Sequence, residues 1–328
     1  MEKFFSRNFM KRGNHMSELS ATQQIKNYVL HECHMDKVGI AGIDRFNESP
    51  EGQHPTDFLP GCKSVIVFCT RLPDGAVETT FRAFEDLNYG VHGIYGAFGY
   101  SGAPNYMLMF ANYRLSRFVE KLTGCTAMPE PCGPTHGAKM MSMRHCAYAA
   151  GLGEFGWSSL MLTPEFGPRN RFGAVLTTAE LEPDPMYNGP QLCDPARCHV
   201  CEKLCPTGAI PPYTEGSGRI VESGGKEIAY GQVNWNKCRI MCHGTGKDFN
   251  ESGTDIIPQD LEDPINDDLT NINRYYSKYP RRDYIQHNPT WKCGNCLTYC
   301  PVGSWYEKFR DTKLTNTDVD QYIDKEEV

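Results

Sequence analysis

Cys193-Asp194-Pro195-Ala196-Arg197-Cys198-His199-Val200-Cys201-Glu202-Lys203-Leu204-Cys205-Pro206 is a C-x4-C-x2-C-x3-C-P tract. Cys293-Gly294-Asn295-Cys296-Leu297-Thr298-Tyr299-Cys300-Pro301 repeats its second half as C-x2-C-x3-C-P. Thiolates this close together suit soft metals. Disulfides are one alternative, but nothing in the sequence marks a secreted chain. Zinc is another, but zinc sites read as paired C-x2-C without the trailing Cys-Pro. The Cys-Pro endings point instead to two [4Fe-4S] clusters, each needing four thiolates. The x4 gap after Cys193 is longer than the usual x2.

The two tracts resemble the two-cluster ferredoxin arrangement, in which the last cysteine of one tract ligates the other tract's cluster. Counted that way, Cys193, Cys198, Cys201 and Cys300 hold one cluster. Cys205, Cys293 and Cys296 take three corners of the other. The vacant corner falls to Cys238 or Cys242, which lie between the tracts in Asn234-Trp235-Asn236-Lys237-Cys238-Arg239-Ile240-Met241-Cys242.

Around this centre the chain is ordinary for a globular protein of 328 residues: 40% hydrophobic and 22% charged, long enough for two domains. A net charge of −7 disfavours non-specific nucleic-acid binding. Of fifteen cysteines, eight are assigned to clusters. The other seven (Cys33, Cys62, Cys69, Cys125, Cys132, Cys146 and one of Cys238 and Cys242) are expected in apolar packing, in a reducing, anaerobic cytoplasm. No apolar run is long enough to span a membrane. Lys11-Arg12 is not a twin-arginine export signal, and residues 1–16 are expected to be a mobile leader ahead of a second start at Met16.

Periodicity places the elements. A helix is expected over 17–36, capped by Ser20 or Thr22, with strands at 38–43 and 64–70. The glycine- and tyrosine-rich 89–107 reads as a loop. An amphipathic helix follows over 107–122, ended by Gly124. Residues 125–137 are irregular because of their prolines, and 138–150 is helical. Leu160 to Thr177 reads as strand, turn, strand, closing the sheet. Residues 209–246 are a loop-and-strand connection, and 247–290 a long polar insertion. Residues 311–328, with six acids against two lysines, read as a solvated acidic tail.

Ala150-Gly151-Leu152-Gly153-Glu154 followed by Pro164-Glu165-Phe166-Gly167-Pro168-Arg169-Asn170-Arg171 resembles the corrinoid-dependent reductive dehalogenases and their relative epoxyqueuosine reductase. The Glu after AGLG and the Pro-Arg-x-Arg after PEFG are nearer the dehalogenase version. Val233 to Cys238 is similar to the segment that supplies the lone cluster cysteine in both, which favours Cys238 as the eighth ligand. The resemblance implies an α+β chain: a nitroreductase-like α/β cobalamin-binding domain over 17–185, then a two-cluster bacterial ferredoxin-like domain over 186–310. It implies base-off cobalamin in a site built from the glycine-tyrosine loop, from Gly151, Leu152, Gly153, Glu154, Gly156 and Trp157, and from Thr163, Glu165, Phe166, Gly167, Arg169 and Arg171. Electrons would pass through both clusters to cobalt, for reduction of a small organic molecule.

The same resemblance sets the candidates for proton and leaving-group chemistry. Dehalogenases place a tyrosine supported by a basic residue as proton donor, for which Tyr100 and Tyr106 are candidates. His136 could act as an acid near neutral pH, and Arg144 could polarise a leaving group. Epoxyqueuosine reductase has a catalytic Asp ahead of AGLG, whereas no Asp lies between Cys125 and Gly153 here. Reduction on tRNA is therefore the alternative, and an iron–sulfur carrier or corrinoid-protein reductase without its own substrate is a third reading. The partners implied are a small-molecule substrate and a ferredoxin- or flavodoxin-type donor. No membrane is implied, and a homodimer is compatible with the sequence.

Overall fold

The computed structural model describes residues 19–83, 94–100, 102–130, 141–235, 237–238, 293–303, 308 and 319–324. The leader, the 247–290 insertion, His136, Cys132 and Cys242 lie outside the described residues.

A four-stranded antiparallel sheet organises the first half, in the order β1 (Lys37–Gly42), β2 (Ser64–Arg71), β6 (Asn170–Thr177), β3 (Ala127–Pro129). Strand β2 is β-branched and aromatic, and its alternation supplies two cores at once. Val65 and Val67 join Ala41, Ala174 and Leu176 on one face, with Cys146, Ala147 and Leu152. Ile66 and Phe68 join Ile40 and Val175 on the other, against Leu108, Leu115 and Val119. Each fully buried side chain of this size contributes roughly 1.5–3 kcal/mol.

Helix α1 (Ala21–Asn27) starts on a Ser20–Gln23 capping box and continues as a π-helical turn, Tyr28–Glu32. The expected helix over 17–36 is thus shorter within the described residues. The long amphipathic helix, here α4 (Ala103–Thr123), starts four residues earlier than expected, with Pro104 in its first turn. Gly124, at φ +69, ends it as its sequence position suggests. Between α1 and α4, α2 (Pro55–Phe58) and α3 (Asp74–Ala83) flank β2. A further helix, α5 (Met143–Ala149), covers the opposite face of the sheet.

Two expectations about this sheet are corrected. The 160–177 stretch does not place two strands in it. Met161–Leu162 (β5) pairs instead with Glu154–Phe155 (β4) as a small ribbon. Strand β6 lies inside the sheet rather than closing an edge, because Ala127–Pro129, in the stretch expected to be irregular, pairs alongside it. Three residues with one proline are too short a run to register as a strand in the sequence.

In the second half each cysteine tract forms one helical turn, α6 (Val200–Lys203) and α7 (Asn295–Thr298). The two turns carry Cys201 and Cys296, and each ends ahead of its Cys-Pro. The Asn295 side chain donates to the Leu204 carbonyl at 2.9 Å, tying one tract to the other. A hairpin, β7 (Arg219–Ser223) and β8 (Lys226–Tyr230), packs Ile228 and Tyr230 into the core of the first half. The acidic segment is also corrected in part, since residues 319–324 do not stand free in solvent. Val319 is buried, His199 N–H donates to the Tyr322 carbonyl, and Cys198 bridges Ile323. The apolar Val319, Tyr322 and Ile323 dock this segment within an otherwise acidic stretch.

Candidate functional site

All thirteen described cysteines are free thiols, and eight of them gather in the second half. Cys193, Cys198, Cys201 and Cys300 line one cavity of about 310 Å3, with Cys296, Gly156, Trp157 and Val200 completing its wall. These are the four cysteines expected, from the resemblance to the two-cluster ferredoxin arrangement, to hold the first cluster. Cys205, Cys238 and Cys296 pack with Cys193 and Cys201 around Trp157, Ala209, Ile210 and Val233. Among the described residues, no three His, Cys, Asp or Glu side chains converge as they would on a single metal ion. Four thiols around one cavity can hold a polynuclear iron–sulfur cluster.

The surroundings are those of thiolates that must be held. Burial pushes Cys193 up to about 12 and raises Cys198, Cys201 and Cys300; neighbouring thiols add to the shift in Cys193, Cys201 and Cys300, and the Asp194 and Glu202 carboxylates add to it in Cys198. Loading iron must therefore displace protons from this set. Two sulfurs already accept backbone N–H bonds, Cys193 from Trp157 at 3.3 Å and Cys205 from Ala209 at 3.2 Å, the kind that tune cluster potentials. Of the cysteines outside the tracts, Cys33, Cys62, Cys69 and Cys146 are buried and Cys125 half-buried. Burial drives Cys69 up to about 12, the behaviour of inert packing.

Two charged side chains of the first half reach into the tracts. Glu154 Oε1 accepts from the backbone N–H of Leu192 and, at 3.0 Å, of Cys193. Arg169, only 1% exposed, donates to the carbonyls of Leu297 at 2.9 Å, Cys300 at 3.0 Å and Val302. Burial pulls its guanidinium down to about 10, opposed by the charges of Cys300 and Asp74, so it stays cationic at neutral pH.

A second, polar cavity of about 430 Å3 lies on the other side of the Gly156–Ser159 turn. Its wall includes Arg45, Arg144, His145, Ser159, Arg219, Tyr230, Val233 and Trp235. Arg144 donates to the Ser159 carbonyl and hydroxyl at 2.5 and 2.8 Å, and lies 5.5 Å over the Trp235 ring. Ser159 has φ +58, a left-handed conformation uncommon outside glycine and concentrated at functional sites. His145 Nε2 meets the Tyr230 hydroxyl at 3.3 Å and its Nδ1 meets Ser142 at 2.8 Å. Burial, then the charges of Arg144 and Arg219, hold His145 down to about 4, so the imidazole is neutral. The turn serves both cavities: Gly156 and Trp157 face the cysteines and Ser159 faces the arginines. Val233 and Trp235 lead into the turn that carries Cys238.

Of the residues singled out in the sequence, Arg144 lines the polar cavity. The twelve expected around a corrin do not. Gly151, at φ +75, is closed off by the Pro185 carbonyl, and a Cβ on Gly153 would overlap the Leu162 carbonyl oxygen. Leu152 is core, and Gly156 packs on the Leu162 side chain. The Trp157 indole donates to the Pro211 carbonyl at 2.8 Å. Thr163 and Gly167 exchange backbone bonds, while Glu165 pairs with Lys37 at the surface. Phe166 lines a small cleft with Arg71 and Asp74. Arg171 donates to the Tyr100 carbonyl at 2.8 Å with its guanidinium 5.3 Å over that ring, which gives Tyr100 a cationic neighbour. Tyr106 is 41% exposed on the first turn of α4. His145 and Tyr230 are site residues that the sequence reading missed. They are 85 positions apart, and no local pattern joins them.

No family model matches the chain. Tetrachloroethene reductive dehalogenase of Desulfitobacterium hafniense is 30% identical over 224 residues, 61% of this chain and 36% of that protein. Epoxyqueuosine reductase of Listeria monocytogenes is 27% identical over 116 residues, 31% of this chain and 30% of that protein. A crystal structure of selenomethionine-labelled epoxyqueuosine reductase matches with a TM-score of 0.51 at 18% identity, over 92% of this chain and 72% of that one, a likeness of fold. The chain spans about a third of the length of the curated relatives it matches. Both relatives are reductases by name. The chain is similar to the reductive dehalogenases and to epoxyqueuosine reductase, and by sequence it is nearer the dehalogenases. Among the described residues, no helix is long and apolar enough to cross a membrane.

Proposed function

We propose that the chain is a cytoplasmic cobalamin- and [4Fe-4S]-dependent reductase that passes electrons through two clusters to a corrinoid, for reduction of a small organic molecule. The observation that carries this reading is the 310 Å3 cavity lined by Cys193, Cys198, Cys201 and Cys300, which backs through one turn onto a polar cavity. The first four hold one cluster; Cys205, Cys238, Cys293 and Cys296 hold the other. The nitroreductase-like and ferredoxin-like domain forms belong to the same proposal.

The donor set of the polar cavity fits a corrinoid, whose periphery is rich in amides and carries a phosphate. Arg45, Arg144 and Arg219 offer guanidinium donors, and Trp235 a flat face. A bound corrinoid supplies strong reducing and nucleophilic power, and the protein supplies its placement. Glu154 of the AGLGE segment and Arg169 of the PEFGPR segment dock the cysteine tracts. Arg144, fixed by Ser159, presents positive charge to an anionic or departing group. The Tyr230 hydroxyl, paired with the neutral His145, is placed to give a proton from the cavity wall, and Tyr100 beside Arg171 is the other tyrosine with a basic neighbour.

Anaerobic reconstitution tests this directly. Roughly eight irons and about one corrinoid per chain are expected. Iron without corrinoid would leave an electron carrier. The fold likeness to epoxyqueuosine reductase keeps a tRNA-directed reductase as the second reading. That reading requires a salt-dependent complex with tRNA.

A further inference from the structure

We propose that Glu154 and Arg169 form a pair of oppositely charged positioning residues that set both the seating and the reduction potential of the cluster held by Cys193, Cys198, Cys201 and Cys300. The inference rests on the two-cluster reading and adds roles that the cysteine spacing does not contain.

Each residue reaches from the first half of the fold to one end of the same quartet. Glu154 takes the N–H groups of Leu192 and Cys193, the first ligand of the first tract. Arg169 takes the carbonyls on both sides of the second tract's last cysteine, Leu297 and Val302, together with that of Cys300 itself. No other ligand of this quartet comes from so far along the chain. Cys300 is the thiolate that must cross from the second tract, and Arg169 fixes the loop that delivers it. A five-donor fork suits three carbonyls at different angles, which an ammonium could not match as well.

The charges matter as well as the geometry. One electron delivered by a low-potential donor adds one negative charge to a cage of four thiolates, with no bond broken and no proton required. A guanidinium fixed beside Cys300 favours the more negative state, and a carboxylate fixed beside Cys193 disfavours it. Arg169 is buried and Glu154 half-buried, so the guanidinium's effect is screened little and the carboxylate's somewhat more. Their balance sets the potential of this cluster and leaves the other to its own surroundings.

The test is an EPR-monitored redox titration of the full chain, reconstituted anaerobically, with dithionite as reductant. Iron content of the wild type checks the cluster reading separately. Arg169→Gln should shift one cluster's reduction equilibrium about tenfold toward the oxidised form, about 59 mV for a one-electron couple. Glu154→Gln keeps an acceptor for both amides and should shift the same signal the opposite way. Arg169→Lys, which keeps the charge, should move it less than Arg169→Gln. Unchanged midpoints, or both Gln variants moving in one direction, would overturn the proposal. If Arg169→Gln loses this cluster's iron, Glu154→Gln decides: a positive shift supports the proposal and no shift overturns it.

Discussion

Acid should weaken this protein through His145, and the effect can be sized. The imidazole sits at about 4 in the fold against 6.5 when free, because of burial first and then Arg144 and Arg219. Tyr230 and Ser142 face its two nitrogens, and Phe155 packs against its ring. None of these supplies a negative charge that would hold a proton there. A folded-state value below the unfolded one means that protonation favours the unfolded chain. Above pH 6.5 the group is neutral in both states and contributes nothing. As pH falls from 6.5 towards 4, the unfolded chain takes up the proton first and stability drops. The loss is complete below about 4 and amounts to about 3 kcal/mol, at about 1.4 kcal/mol per unit. For a chain of this size that is on the order of 6–10 °C in melting temperature. Thermal melts of the cluster-loaded wild type and His145→Gln across pH 7.5 to 4.5 isolate the effect, since acid damage to clusters is common to both. The two curves should converge as pH falls, because only the wild type carries this loss. Parallel curves would show that His145 accepts a proton in the fold as readily as outside it, and the account of its burial would fail.

Cys238→Ala should keep about four of roughly eight irons, while Cys125→Ala keeps all of them; full iron in the Cys238 variant, measured by colorimetric assay, would remove it from the ligand set. Gly153→Ala places a methyl against the Leu162 carbonyl oxygen, so the β4–β5 ribbon must move. It should cost more than about 2 kcal/mol in urea unfolding, and a change under 0.5 kcal/mol would show that the turn is slack.

Much of the fold was legible because its signals are local. The β-branched run of β2 and the 3.6-residue stripe of α4 each declare their element within a few residues, and Ser20 and Gly124 mark ends by chemistry that acts over one turn. The cysteine tracts were visible for the same reason, since three of their cysteines sit within nine positions. The roles of Glu154 and Arg169 were not, because their partners lie 38 and about 130 positions away. Nothing in AGLGE or PEFGPR says that their charges point at the cysteine tracts. The docking of residues 319–324 was hidden by a charge count that gave Val319 and Ile323 too little weight. Strand β3 was hidden by the prolines around it.

The cysteine cavity also dictates a timetable. Its first wall, Cys193 to Cys201, leaves the ribosome about a hundred residues before Cys300, and Ile323, which lies against Cys198, follows later still. During synthesis the early thiols therefore stand exposed without their fourth companion. Iron delivered at that moment would meet an open, three-sided cage. Assembly factors acting on this chain would do best to wait until translation has passed residue 323.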